Sequence, residues 1–132
     1  MTLEEALFAH LAAIGSNTEP IANTRVYPLL IPLETIRPAI AYQRIAGPRI
    51  NLHDGPSGLA RATIQITCQA PDYSIVKRLI NAVRKDLDGY KGLMGGVSGT
   101  DVQWCNMISE IDGDELQDAA IVRADFQFLY RE

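Results

Sequence analysis

The first residues of the chain carry apolar side chains at the spacing of one helix face. Their positions are separated by four, four and three residues: Leu3, Leu7, Leu11 and Ile14. This period predicts an amphipathic helix over residues 2–14. Thr2 and Glu5 fit a capping box, in which side chain and backbone satisfy each other's unpaired donors at the helix start. Gly15 suits the left-handed position that follows a helix end.

Prolines mark the next segment and exclude a helix there: Pro28, Pro32 and Pro38. The aliphatic residues between them favour extended backbone. Proline removes a ladder donor and is tolerated mainly at sheet edges, so residues 25–30 predict an edge strand. A second strand is predicted over residues 39–45, directly after Pro38.

The clearest strand pattern lies in residues 59–70, where apolar and polar side chains alternate without a break. The apolar members are Ala60, Ala62, Ile64, Ile66, Cys68 and Ala70. One apolar face and one polar face are typical of an antiparallel sheet that is packed on one side only. This segment therefore predicts a central, half-buried strand.

A second helix is predicted over residues 73–87, with Asp72 as its N-terminal cap and Gly89 at its end. Its apolar side chains form one stripe: Tyr73, Val76, Leu79, Ile80, Val83 and Leu87. Lysines and arginines occupy the opposite side, which is typical of a solvated helix face.

Two glycine-rich segments are predicted to be loops. Residues 47–58 (GPRINLHDGPSG) are rich in turn formers, and residues 88–100 (DGYKGLMGGVSGT) contain five glycines. Neither segment follows the period of a helix or of a strand.

Two more strands are predicted near the C-terminus, from about Val102 to Ser109 and from Ala120 to Tyr130. Simple alternation puts Val102 and Trp104 on the same face of the first of them. The complete order is helix, two or three strands, helix, two strands. It predicts one α+β domain over residues 1–132, with a mostly antiparallel sheet of about five strands and two helices packed on one face.

Composition and charge narrow the classes of function. Hydrophobic residues make up 47% and charged residues 21% of the 132 residues, as in a soluble globular domain. The net charge of −4 gives no electrostatic support for binding nucleic acid or an anionic membrane. No apolar run approaches the roughly 20 residues of a membrane span. We expect a protein made in the cytoplasm.

Candidate reactive groups are few and isolated. His10 and His53 belong to no metal-ligand motif. Cys68 and Cys105 are too few for a disulfide framework and lack metal-ligand spacing. No segment assembles a nucleophile, a base and an orienting group. The residues therefore predict a protein that is not an enzyme and carries no cofactor or metal, and surfaces and edges are left as its functional parts.

Three motifs, taken in order, resemble a known family. They are residues 25–28 (RVYP), residues 38–42 (PAIAY) and residues 63–70 (TIQITCQA), followed by Tyr73, residues 82–84 (AVR) and the Leu87-x-Gly89 pattern. Their order and spacing resemble the tail-completion proteins of long-tailed bacteriophages and, more distantly, the tail terminator of phage lambda. The resemblance covers nearly the whole chain, and its motifs are structural.

This resemblance implies an α+β protein that assembles into a homo-oligomeric ring, a hexamer in the lambda-like members. Such a ring caps the tail tube, ends its growth and offers the head a docking surface. The implied partners are other copies of the chain, the major tail tube protein and a head–tail connector or stopper protein. The implied location is the tail–head junction of a phage or prophage virion, after assembly in the host bacterial cytoplasm.

Edge strands and surplus apolar surface commonly mark assembly interfaces. On this basis the candidate interface residues are Arg25, Tyr27, Leu29, Leu30, Ile31, Leu33, Arg49, His53, Lys91, Leu93 and Met94. No membrane partner is expected, and DNA is expected only in passage through the ring lumen, because an acidic chain favours passage over tight binding.

Two alternatives stay open from the sequence. One is a small α+β enzyme or ligand-binding module, which a deep pocket converging on His10, His53 or Tyr42 would favour. The other is a different neck component of the virion, such as a head-completion protein.

Overall fold

The computed structural model describes residues 2–13, 16–23, 25–32, 37–47, 49–52, 55–96, 99–113 and 120–131. The helices are α1 (Leu3–Leu11), α2 (Glu19–Ala22) and α3 (Tyr73–Leu87). The strands are β1 (Val26–Pro28), β2 (Ala39–Ala46), β3 (Arg49–Leu52), β4 (Gly55–Ala70), β5 (Gly92–Met94), β6 (Thr100–Asp112) and β7 (Ala120–Arg131). None of the described helices is long and apolar enough to span a membrane.

The strands form one curved sheet in the order β1-β2-β4-β7-β6-β5, and β3 pairs with the first residues of β4. Only the β1–β2 pair is parallel among the described ladders, and the others are antiparallel. The predicted fold class, α+β with a mostly antiparallel sheet and helices on one face, is confirmed. The described sheet has seven strands instead of about five, and α2 is an additional short helix.

The two extra strands lie in the glycine-rich segments that were predicted to be loops. Residues Arg49–Leu52 pair with Gly55–Ala60 as a hairpin, and Gly92–Met94 pairs with Thr100–Val102. Amino-acid composition did not predict these two strands. Backbone pairing with a neighbouring strand satisfies the N–H and C=O groups whatever the local strand propensity.

The core lies between the helices and one face of the sheet. The alternating apolar residues of β4 all point into it, from Ala60 to Ala70, and each is at most 1% exposed. Phe126 and Phe128 of β7 are its largest fully buried side chains, and Leu7 of α1 and Leu79 of α3 belong to the same buried cluster. The prediction of a sheet packed on one side is therefore confirmed.

Capping groups fix both long helices where the sequence predicts. The Thr2 hydroxyl accepts a hydrogen bond from the Glu5 N–H at 3.2 Å in a complete capping box. The Asp72 carboxylate accepts one from the Ile75 N–H at 2.9 Å. Beyond α3, Gly89 has φ +80°, a region that glycine adopts without strain. Helix α1 ends at Leu11 with Ala12 as its C-cap, before the predicted end at Ile14, and Ile14 and Gly15 lie outside the described residues.

Strand β6 departs from simple alternation. The register to β7 shifts between Val102 and Trp104, and again between Met107 and Ser109. Consequently Val102 and Cys105 both face the core, while Trp104 lies opposite Leu129 on the other face. The prediction that Val102 and Trp104 share a face is wrong, because a β-bulge adds one residue and reverses the alternation after it.

Asp86, near the end of α3, fastens the segment between α1 and α2. Its carboxylate accepts hydrogen bonds from the Asn17 N–H at 2.9 Å, the Asn17 side-chain amide at 2.8 Å and the Thr18 N–H at 3.2 Å. The backbone carbonyl of Asp86 lies 2.9 Å from the His10 ring nitrogen Nε2. One residue thus connects three helices, since Thr18 leads directly into α2.

Candidate assembly surface

Strand β1 forms one edge of the sheet, as the proline pattern predicts. It pairs with β2 on one side, and no described strand lies on its other side. Pro28 is its last residue and lacks an N–H, which limits the addition of a further strand. The Arg25 guanidinium, at the start of this edge, donates to the Pro38 carbonyl at 2.8 Å. The edge is therefore suited to side-chain contacts.

Immediately after β1 the chain makes a tight turn that presents two leucines. The Leu30 N–H donates to the Pro28 carbonyl at 2.8 Å, and Leu29 sits between them with φ +66°. This left-handed region is rarely adopted by a leucine and is unfavourable for it. The side chains of Leu29 and Leu30 are 65% and 78% exposed. A strained turn thus holds two adjacent aliphatic side chains in solvent.

The opposite edge of the sheet is formed by β5 and by the part of β6 that extends beyond it. Strand β5 pairs only with Thr100–Val102, so no described strand covers the outer side of residues 103–112. Ile108 and Ile111 in this stretch are 53% and 62% exposed. Simple alternation did not identify them as surface residues, because the bulges of β6 change which side chains face outward.

A charged cluster joins this edge to the start of α3. The Lys77 ammonium lies 2.7 Å from Asp112 and 3.0 Å from Glu110, and the Tyr73 hydroxyl donates to Asp112 at 2.7 Å. The hydrogen bond with Asp112 raises the pKa of Lys77. The bonds from Lys77 and then Tyr73 lower the pKa of Asp112 below its ordinary value. The cluster therefore holds the β6 edge in place through side chains that remain charged.

We expect the pKa of the Asp112 carboxyl, measured by NMR titration, to lie below 3.8. Lys77→Met removes the principal hydrogen bond, so the pKa should rise. The cluster stabilises the fold above the ordinary carboxyl pKa, and that contribution is lost as the pH falls through the lowered value. Lys91→Met, at another exposed lysine, is the control and should leave the titration of Asp112 unchanged. An equal shift in both variants would contradict the contact.

The face of the sheet away from the helices is polar. Its residues on β4 and β7 are Arg61, Thr63, Gln65, Thr67, Gln69, Arg123, Asp125, Gln127, Leu129 and Arg131. Three of these are cations and one is an anion, whereas the whole chain has a net charge of −4. The acidic excess of the protein therefore lies elsewhere on its surface.

The predicted interface residues fall into two groups at opposite edges. Around β1 lie Arg25, directly before the strand, and Tyr27, Leu29, Leu30 and Ile31, on or just after it, whereas Lys91 and Leu93 lie at β5. Leu29, Leu30, Lys91 and Leu93 are exposed, and Arg25, Tyr27 and Ile31 are half-buried. The structure does not bring the two groups together within one chain.

Three members of the predicted set stand apart, and one is buried. Leu33 and His53 lie outside the described residues, and only the backbone of Arg49 is described, in β3. Met94 is 0% exposed and belongs to the core, because its strand turns this side chain inward. Met94 is therefore a core residue and not a surface residue.

Neither His10 nor Tyr42 lines the groove that the described residues form. The His10 ring packs edge-on against Tyr90 at 4.7 Å between centroids, and Tyr42 is a core residue. A shallow groove of about 340 Å³ lies elsewhere, between α3 and β6, lined by Lys77, Arg78, Ile80, Asn81 and Glu110. Among the described residues, no three histidine, cysteine or acidic side chains group as a metal site.

The two cysteines are buried, and their thiols are poor nucleophiles. Desolvation raises the pKa of both the Cys68 and the Cys105 thiol. A buried thiol with a raised pKa is a poor nucleophile, because the thiolate is the reactive form. Both residues serve as small apolar members of the core.

These features define a small α+β protein whose outstanding surfaces are the two edges of one sheet, a class suited to building assemblies. The sequence matches the family described as "Tail completion protein gp17" over residues 5–131. The chain belongs to this family, which confirms the predicted resemblance. Membership indicates a structural protein of a phage-type virion. No curated protein shows significant sequence similarity to it.

Solved structures show the same fold in a particle. A chain in the virion of a native gene transfer agent particle is similar with a TM-score of 0.79, covering 98% of this chain and 95% of that one at 14% identity. A structure from Akkermansia muciniphila, of a protein without its transmembrane region, overlaps 68% of this chain and 44% of its own at 15% identity. Its TM-score of 0.34 is too low to indicate a common fold.

Proposed function

We propose that this protein caps the phage tail tube as a homo-oligomeric ring, hexameric as in the lambda-like terminators, and joins the tube to the head connector. The observation that carries the proposal is the family match over residues 5–131. The fold of a gene transfer agent virion chain, shared over 98% of this one, supports it. The partners are the major tail tube protein on one side and a connector or stopper protein on the other.

The surface chemistry supports a role in assembly. Five aliphatic side chains at the two edges, Leu29, Leu30, Leu93, Ile108 and Ile111, are more than half exposed, and apolar side chains at sheet edges are costly unless a partner covers them. A capping ring works through surface complementarity and needs no reactive group. DNA passes through its lumen without tight binding, in keeping with a net charge of −4.

Deletion of the gene from the host that produces the particles tests the proposal. We expect electron micrographs to show tails of irregular, excess length and heads without tails, because tube growth is no longer ended and the head lacks its docking surface. Addition of the purified protein to these tails should restore head joining. Tails of normal length that still fail to join heads would contradict tube capping and favour a head-completion role.

A DNA-binding titration tests the passage of DNA. We expect weak binding of duplex DNA at physiological salt, with little further loss as the salt concentration rises. Tight binding with a steep dependence on salt would contradict this, because it would require many cation–phosphate contacts.

A further inference from the structure

We infer that copies of this chain join head to tail through opposite edges of the sheet, with Leu29 and Leu30 of one copy packed against Ile108 and Ile111 of the next. This rests on the ring proposed above and names the interface that builds it. The two patches are different surfaces of the same chain. A contact between them is therefore heterologous, which is the type that generates rings or filaments.

Strand register places the two patches at the same height, which is the position along the strand direction. A row of paired residues crosses the sheet from the first edge to the second: Tyr27, Ala41, Thr67, Arg123 and Ile111. From this row, β1 continues toward Leu29 and Leu30. Strand β6 runs antiparallel to β1, so its residues before Ile111, toward Ile108, extend in the same direction as β1. Both patches thus begin at one row and extend in the same direction.

Equal height favours a closed ring over a filament. A head-to-tail contact between patches at different heights would displace each copy along the axis and give a helix. A contact at equal height adds no translation along the strands, and the copies then close into a ring where the rotation per copy divides a full turn. Closure is what a cap needs, since an open filament would continue to grow.

The occupant of each patch is a second copy because the chemistry of the two edges is complementary. Both patches are aliphatic, so each covers the other. Cationic Arg25 directly precedes β1, at the end of the first edge away from Leu29, where it donates to the Pro38 carbonyl. The Asp112 carboxylate lies on the same side of the cross-sheet row at the second edge, and its cluster with Lys77 and Glu110 is net negative.

The contact is made by side chains and is not an extension of the sheet. Pro28 offers no N–H, and the turn at Leu29 directs the chain away from the strand direction. An extended peptide from an unrelated protein would need a longer regular edge for strand addition. The strained backbone at Leu29 also has a use here, because it presents both leucines outward from one short turn.

Sedimentation velocity of single variants and their mixture tests the inference. We expect the wild-type chain to form a closed ring as its concentration rises. Leu30→Asp and Ile111→Lys should each weaken association by on the order of tenfold or more. Leu30→Asp keeps the second patch and Ile111→Lys keeps the first. An equimolar mixture should therefore associate again, because one contact is intact and the other places the introduced carboxylate opposite the introduced ammonium.

Two further variants control for folding and for nonspecific apolar contact. Leu29→Gly removes a side chain while suiting the positive φ, so it should weaken association with no loss of thermal stability. Leu93→Asp alters an exposed leucine at β5, outside the inferred contact, and should leave association unchanged.

Several outcomes would overturn the inference. They are rings that persist in Leu30→Asp or Ile111→Lys, a mixture that stays monomeric, or a wild-type chain that is monomeric at every concentration. Rings that persist in the variants would leave the proposed function standing with another interface. The proposed function itself fails if tail length is normal in the gene deletion, whether or not the variants form rings.

Discussion

Asp86→Ala is expected to lower the free energy of unfolding by about 3 kcal/mol, because hydrogen bonds to a charged group contribute about 1.5–3 kcal/mol each and are not fully additive. The carboxylate accepts three hydrogen bonds from Asn17 and Thr18. The Thr18 hydroxyl lies 3.1 Å from the carboxylate, but also 2.7 Å from the Leu11 carbonyl, which is the better placed acceptor. Truncation leaves two backbone N–H groups without their partner.

Thermal and urea unfolding measure this effect, which corresponds to a fall in Tm of roughly 10 °C for a domain of this size. Asp101→Ala is a matched control, since its carboxylate lies at the surface and 3.9 Å from the Arg131 Nε. Such an exposed pair contributes less than about 1 kcal/mol. Equal, small losses in both variants would contradict the role of Asp86 as the fastening point between helices.

Alkaline conditions are expected to destabilise the protein through Cys68 and Cys105. Desolvation raises the pKa of both thiols in the folded state, whereas an unfolded cysteine has a pKa of about 8.5. Their contribution is therefore fully present below about pH 8.5 and is lost as the pH rises above it. Each buried thiol should cost about 2 kcal/mol of stability by pH 10, or about 4 kcal/mol for the two.

Urea unfolding at several values between pH 7 and pH 10 measures this loss. Desolvation also raises the pKa of Tyr42 and Tyr90, so a variant is needed to isolate the thiols. The double variant Cys68→Ala with Cys105→Ala should be less stable at pH 7, because two small core side chains are shortened. Its stability should then fall by about 4 kcal/mol less than that of the wild type between pH 7 and pH 10. Parallel curves would contradict the burial of the thiols.

The regular elements could be predicted because their patterns are determined locally. Alternation fixes the buried face of β4, and a stripe at helical spacing with Asp72 as cap fixes α3 from Tyr73 to Leu87. In both cases every residue of the pattern agrees with one period. Proline at position 28 likewise predicted an edge strand without reference to its neighbours.

The remaining elements depend on partners that are distant in the sequence. Strands β3 and β5 form because β4 and β6 offer them backbone groups, and their own composition favours turns. The bulges of β6 are set by its register to β7, which no local pattern encodes. For the same reason Ile108 and Ile111 were not recognised as edge residues, although Leu29, Leu30 and Leu93 were.

Only one of the two apolar patches, the one after β1, could therefore be predicted from the sequence. The sequence contained the leucines after the proline, and their exposure in the folded chain follows from the turn at Leu29. The second patch, on β6, becomes visible only when strand order places residues 103–112 at the opposite edge. No motif of reactive residues could have led to either patch, because an assembly surface consists of ordinary side chains in an unusual position.

Electron cryomicroscopy of the intact neck of the particle decides whether this chain builds a ring through the two sheet edges. We expect a closed ring of this chain between the tail tube and the head connector, with Leu29 and Leu30 of each copy against Ile108 and Ile111 of its neighbour. Density for the chain as a single copy, or at a position away from the end of the tail tube, would contradict it.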